Sequence, residues 1–245
     1  MTTTVLVDVP YLTAEQMREV DRAMMQDLNI QLIQMMENAG RNLAQLARVR
    51  FLGGDPRDKR VILLAGTGGN GGGALVCARR LHNWGAQIHV FITRPDAEFA
   101  PVPALQLDIL RRMKVLAAQV DALAQVETAD LIVDGVIGYS LKDAPSGTTA
   151  ELIRWANAQG APVLALDAPS GVDTTTGTVY DPAIKAMATL TLALPKEGLR
   201  KPGVEEQVGE LYLADIGVPP SLYAEPALGI RVGPIFAKEE IIRLR

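Results

Sequence analysis

At 245 residues, 48% of them hydrophobic, the chain is long enough for one substantial core and fits a single large α/β domain, residues 1–245. Its 24 basic and 28 acidic residues leave a formal charge of −4, which offers no general field for nucleic acid or an anionic membrane. No apolar run reaches the roughly 18 residues of a membrane helix. The start, Met1-Thr2-Thr3-Thr4 with Asp8, lacks the pattern of a secretory signal, and one cysteine cannot pair internally, so a cytoplasmic protein is expected.

Thr13-Ala14-Glu15-Gln16 is a capping-box pattern, and Met17, Val20, Met24 and Leu28 then recur at helical spacing, which predicts a helix over 13–28. Asn29 breaks it. Leu32, Met35, Met36, Ala39, Leu43, Leu46 and Ala47 mark a second, longer amphipathic helix, ended by Gly53-Gly54-Asp55-Pro56. Five methionines fall among residues 17 to 36 and suit either a pliable binding surface or ordinary core or subunit contact.

Val61-Ile62-Leu63-Leu64-Ala65 is apolar without alternation, as a strand buried on both faces requires. A glycine loop comes next, Gly66-Thr67-Gly68-Gly69-Asn70-Gly71-Gly72-Gly73-Ala74, and then Leu75, Ala78 and Leu81 at helical spacing, with Cys77 as a packed thiol. Residues 66 to 71 spell G-x-G-x-x-G between strand and helix. Such a loop can cradle a phosphate with backbone N–H groups, or it can simply let a helix pack closely.

Beyond it, strands are expected at 87–92, 130–134, 162–166, 189–194 and 210–214, and helices at 103–113 and from the capping pattern Thr148-Thr149-Ala150-Glu151 to about Ala158. This alternation predicts a Rossmann-like three-layer sandwich, a mostly parallel sheet with helices on both faces. The tail from residue 221 reads as cover for a sheet edge. Ligands of such sheets bind beyond the carboxyl ends of the strands. At those ends stand, in chain order, the glycine loop, Arg94, Asp134 leading to Gly138, Asp167-Ala168-Pro169-Ser170-Gly171, Lys196 and Asp215. Carboxylates, a cation and an anion-binding loop on one crevice suit acid–base chemistry on a phosphorylated substrate. By position alone, Asp134 could equally cap a turn, the tight loop Pro169-Ser170-Gly171 beside Asp167 favours a functional role there, and Lys196 reads as a surface or loop-anchoring charge.

Several chemistries are excluded. After Gly71 stands Gly72, so the P-loop lysine is missing, and there is no G-x-S-x-G elbow. His82 and His89 fall in a helix and mid-strand and read as structural; with one cysteine they make no zinc site. A dehydrogenase would want a ribose-binding acid after the second strand, where Thr93-Arg94 stands. Arg94 could instead meet a 2′-phosphate, but no catalytic His or Tyr-Lys pair is evident.

Several motifs together resemble the NAD(P)H-hydrate epimerase family, the YjeF N-terminal domain. They are Met17-Arg18-Glu19-Val20-Asp21-Arg22-Ala23-Met24, Met36-Glu37-Asn38-Ala39-Gly40-Arg41, the glycine loop, Asp130-Leu131-Ile132-Val133-Asp134, Asp167-Ala168-Pro169-Ser170-Gly171-Val172-Asp173, Leu194-Pro195-Lys196-Glu197-Gly198-Leu199 and the run from Gly209 to Pro219. The resemblance implies an isomerase that interconverts the two C6 epimers of hydrated NADH and NADPH (NAD(P)HX), the nucleotide substrate, so that a separate dehydratase can restore the cofactor. It implies a potassium ion (K+) on Asn70, Asp134 and Ser170, and a substrate held by Gly69, Asn70, Gly71, Gly72, Gly73, Gly138, Tyr139, Ser140, Leu141, Asp167 and Lys196, with Asp167 as the catalytic acid–base group. Amide, carboxylate and hydroxyl oxygens suit a hard monovalent cation. A homodimer through the N-terminal helices is also implied, and no fused dehydratase domain is expected.

Two loops depart from the family pattern. Where the family usually reads G-N-N-G-G-D-G, this chain has Gly68-Gly69-Asn70-Gly71-Gly72-Gly73-Ala74, and where it usually reads G-T-G-L, this chain has Gly138-Tyr139-Ser140-Leu141. The alternative is therefore a non-catalytic relative that binds a nucleotide or a protein.

Overall fold

The computed structural model describes residues 9–125 and 128–245, so the expectation about the first eight residues lies outside the described part. Helices α1 (Ala14–Gln26) and α2 (Leu32–Leu46) come first, and α2 runs on into a π-helical turn, Ala47–Phe51. Next come β1 (Arg60–Ala65), α3 (Gly69–Asn83), β2 (Gln87–Ile92), α4 (Pro101–Arg112), β3 (Leu116–Ala118), β4 (Leu131–Gly135), α5 (Gly147–Ala158), β5 (Val163–Leu166), β6 (Ala188–Leu192), the short α6 (Glu205–Val208), β7 (Glu210–Ala214), the short α7 (Pro220–Tyr223) and β8 (Ile241–Arg243). The sheet order is β3-β2-β1-β4-β5-β6-β7-β8. Every neighbouring pair is parallel except β7 and β8, whose antiparallel pairing makes the tail the edge cover that the sequence suggests. The strand order reverses between β1 and β4, the switch point at which α/β sheets bind ligands.

The apolar runs explain the sheet. On β1, Val61, Leu63 and Ala65 join a core with Leu75, Ala78 and Leu81 of α3, while Ile62 and Leu64 join Leu152 and Ile153 of α5 on the opposite face. Each of these buried Val, Leu and Ile side chains contributes about 1.5–3 kcal/mol. The Thr13 capping box forms as expected: its hydroxyl accepts from the Gln16 N–H at 3.2 Å, and the Gln16 side chain accepts from the Thr13 N–H at 2.9 Å. Asn29, with φ 56°, supplies the break after α1.

Four expectations need correcting. Helix α3 begins at Gly69, so the glycines from Gly69 to Gly73 are its first turns rather than a loop. The cap of α5 is Ser146, without a side-chain hydrogen bond, rather than Thr148. Strand β6 stops at Leu192, because Ala193 turns the chain with φ 62°. Strand β3 is an addition that pairs with β2 alone.

The glycines of α3 are there largely for close approach. A Cβ on Gly71 would lie 1.8 Å from the Gly66 carbonyl oxygen, whereas one on Gly69 would meet nothing within 4 Å. Gly71→Ala should therefore cost about 1–3 kcal/mol through overpacking, and Gly69→Ala should be neutral or slightly stabilising, since Ala outranks Gly in helices. Thermal unfolding of the two variants side by side checks this.

Candidate active site

Beyond the carboxyl ends of β4, β5 and β6, and walled on the far side by α1 and α2, lies a cavity of about 290 Å³. Its lining divides by chemistry. Met17, Met25, Met35 and Met36 form an apolar half, so four of the five clustered methionines face a cavity and Met24 alone is plain core. Gly69, Asn70, Gly138, Tyr139, Ser140, Asp167 and Lys196 form a polar half.

Asp167 comes directly after β5 in the left-handed region, φ 65°, a conformation that Asp and Asn tolerate better than most residues. Only 3% of it is exposed. One carboxylate oxygen accepts from Lys196 Nζ, and the other accepts from the Tyr139 backbone N–H at 3.1 Å. Lys196 is wholly buried and also donates to the Leu192 carbonyl at 2.8 Å. This corrects the surface-charge reading. What pulls the lysine inside is its ion pair and a bridge to the N-terminal segment, in which Leu12 N–H donates to the Pro195 carbonyl and Glu197 N–H to the Leu12 carbonyl, both at 2.8 Å. Gly138 is required by close approach: a Cβ there would sit 3.0 Å from Asp167 Oδ2 and 3.2 Å from the Asn70 amide.

Asp134, at the end of β4, is completely buried. Its Oδ1 accepts from Ser170 Oγ at 2.6 Å and from Val136 N–H at 3.1 Å, and its Oδ2 accepts from Ser170 N–H at 2.8 Å. Burial pushes its carboxyl up to about 6 against these bonds, and no basic group counters the shift. Nearby, the Asn70 amide nitrogen is buried without a partner. A buried carboxylate without a counter-cation beside a hydroxyl oxygen fits a monovalent, oxygen-seeking cation, toward which Asn70 could turn its amide oxygen but not its unpartnered nitrogen.

The other expected positions separate. Gly71, Gly72, Gly73 and Leu141 are off the cavity lining, and Gly73, which stands where the family pattern has Asp, would press a Cβ to 2.8 Å from Leu166. Arg94 points away, with a side chain 63% exposed and 3.9 Å from Glu98. Asp215 lies beside a separate hollow and accepts from Gly217 N–H at 2.7 Å. Cys77 is a buried thiol pushed upward by burial, as a packed residue should be.

One polar side chain of the cavity was missed. Asp21 projects from α1 and accepts the Tyr139 hydroxyl hydrogen bond. Burial pushes its carboxyl upward, opposed by that bond and by Lys196. Its signal in the sequence is an acid on the apolar stripe of a helix, between Met17 and Met24.

Comparison with known proteins agrees with this architecture. The crystal structure of yeast ynu0, YNL200c, superposes with a TM-score of 0.82 over 96% of this chain and 100% of that one, at 24% identity, which bears on the fold alone. A protein of Dehalogenimonas lykanthroporepellens named NAD(P)H-hydrate epimerase is 43% identical over 218 residues, 89% of this chain and 86% of that protein. One of the same name from Rhodopirellula baltica is 32% identical over 87% of each chain. A bifunctional NAD(P)H-hydrate repair enzyme of Salinibacter ruber is 34% identical, and the match covers 41% of its length. The model of the YjeF-related protein N-terminus family matches residues 32–198. With that match across most of the chain, and near-full-length relatives above 30% identity, this protein belongs to the YjeF-related protein N-terminus family.

Proposed function

We propose that this chain is an NAD(P)H-hydrate epimerase, an isomerase that interconverts the R and S forms of hydrated NADH and NADPH in nicotinamide nucleotide repair. The observation that carries the reading is the buried Asp167–Lys196 pair facing a half-apolar cavity, in a chain matched nearly end to end by proteins named for that activity. The reacting carbon of the hydrate bears a hydroxyl beside a ring nitrogen. Asp167, protonated, gives its proton to the departing hydroxyl as water leaves, and the ring nitrogen stabilises the cation that remains. Water adds to the other face and returns a proton to the carboxylate. Lys196 and the Tyr139 N–H hold the two carboxyl oxygens, and the methionines exclude bulk water from the ring. Asn70, Asp134 and Ser170 would hold K+, which would supply fixed positive charge to the site.

The reading extends to a homodimer through the N-terminal helices, supported by Met25 and Leu28, exposed apolar residues of and just after α1. It also includes a separate dehydratase that consumes the S epimer, and a cytoplasmic setting. Among the described residues no helix is long and apolar enough to cross a membrane.

The test is to add the protein to the pure R epimer and track conversion to S with and without potassium. Acceleration over the spontaneous rate is expected. Its absence, with tight nucleotide binding retained, would replace the enzyme with a non-catalytic relative.

Potassium has a signature independent of turnover. The Asp134 carboxyl lies at about 6 in the fold against an ordinary value of 3.8, so the native state holds its proton more tightly than the unfolded chain. The cost of ionising it is absent below the lower value and complete above the upper one. A cation that relieves the cost should thus raise the melting temperature well above the upper value and do little near the lower one. At a hundredfold excess over its Kd the ion is worth about 2.7 kcal/mol, a shift of roughly 5–10 °C. Equal shifts at both pH values, or none with potassium against choline, would remove Asp134 from the ion site.

A further inference from the structure

Asp21 has no place in the chemistry described so far, yet it is a cavity carboxyl tied to that chemistry by a continuous chain of bonds. Its Oδ2 accepts from the Tyr139 hydroxyl. The backbone N–H of the same tyrosine donates to Asp167 Oδ2 at 3.1 Å, and the other Asp167 oxygen accepts from Lys196. The two oxygens of Asp167 are thus restrained very differently. Lys196 is itself fixed by the Leu192 carbonyl, whereas the N–H belongs to the loop between β4 and α5.

That loop has its own supports. Ile137 N–H donates to Ser170 Oγ at 2.9 Å, which secures the side nearer β4. Past Gly138, the Tyr139 ring packs against the apolar cluster that includes Met17 and Met35, and its remaining hydrogen bonds are the Thr174 hydroxyl on its carbonyl, long at 3.5 Å, and Asp21 on its phenol. The ring works as a lever seated on the apolar cluster and pinned directionally to α1 at its hydroxyl, and the pin helps set where the N–H meets the Asp167 oxygen. Gly138 allows the approach, with Asp167 Oδ2 only 3.0 Å from the place a Cβ would occupy, so a small shift of the loop changes that contact.

We infer that Asp21 is a positioning residue for the acid–base carboxyl, acting through the Tyr139 hydroxyl to hold the Tyr139 N–H on Asp167 Oδ2. The inference rests on the proposed role of Asp167. It gives helix α1 a part in the reaction beyond walling the cavity.

The test compares Asp21→Ala, Tyr139→Phe, the double variant, and Asp21→Asn, which keeps an acceptor oxygen. Two readouts are taken: kcat and KM for epimerisation, and the carboxyl-carbon resonance of Asp167 in nuclear magnetic resonance, assigned by its loss in Asp167→Asn. Asp21→Ala and Tyr139→Phe should each lower kcat about tenfold, the order of one charge-assisted hydrogen bond, leave KM within about twofold, and shift the resonance. The double variant should be no worse than either single one, because both break one bond, and Asp21→Asn should recover most of the loss. Unchanged kcat and resonance in the single variants, multiplying losses in the double, or an Asp21→Asn as impaired as Asp21→Ala would overturn the inference. Tyr139→Phe, which removes one oxygen, covers the case in which Asp21→Ala does not fold. If the unaltered protein fails to accelerate epimerisation, the functional reading falls, and the Asp167 resonance alone then decides whether Asp21 positions it.

Discussion

Asp167→Asn should lower kcat for epimerisation by about 10²–10⁴, the usual contribution of a positioned acid–base group, in a protein that still folds but is less stable for leaving the buried Lys196 without its carboxylate. The substitution is chosen for the backbone. Asp167 sits at φ 65°, where Asn is at home and Ala is strained, so a loss of rate in Asp167→Asn is not the relaxation of a turn. The amide still offers an acceptor to the Tyr139 N–H, which leaves the loop seated. What disappears is the group that can give and take a proton at the reacting carbon. Single-turnover conversion of the R epimer, with binding measured separately, distinguishes lost chemistry from lost binding. A rate within about twofold of the unaltered protein would transfer the role elsewhere.

Lys196→Met should be the most destabilising of the conservative substitutions at the site. It removes the cation from a pair in which Lys196 is fully buried and Asp167 is 3% exposed, and it leaves Asp21 and Asp167 facing the same cavity without it. Breaking one side of a buried pair costs about 3–5 kcal/mol, or roughly 6–20 °C in melting temperature for a chain of this size. The cost comes from the stranded carboxylate rather than from the lost attraction. Combining Lys196→Met with Asp167→Asn should therefore recover most of the stability while leaving the protein inactive. Thermal unfolding of the three variants checks it, and a double variant less stable than Lys196→Met alone would show that the lysine supports the fold by packing instead.

The parts of this protein that were legible in its sequence are those set by local rules. Strands β1, β4 and β5 are short apolar runs because both faces are covered, and Asp134 and Asp167 could be placed because they stand where such runs end. Strand β3, Leu-Ala-Ala, carries no β-branched or aromatic residue, and its conformation comes from its neighbour β2. The first turns of α3 defeat propensity, since Gly69-Asn70-Gly71-Gly72-Gly73 reads as loop until Gly66 and Leu166 are seen pressed against it. Lys196 was unreadable for a related reason: the partners that bury it come from β5 and from the chain's beginning. Asp21 is the instructive omission, because an acid on the apolar stripe of a capped helix was visible throughout.

The bridge between Leu12 and Lys196 has a consequence for the order in which the molecule is made. Tyr139 meets Asp21 from 118 residues further along the chain, and Thr175 accepts from the Ala14 N–H across 161. Contacts so distant in sequence are slow to close. On the ribosome, the segment around Leu12 precedes the strand leading to Lys196 by more than a hundred residues and must wait, unpaired, until that strand has emerged. The strands β1 to β5 can assemble behind it, but the cavity is closed only when these two distant segments are fastened together.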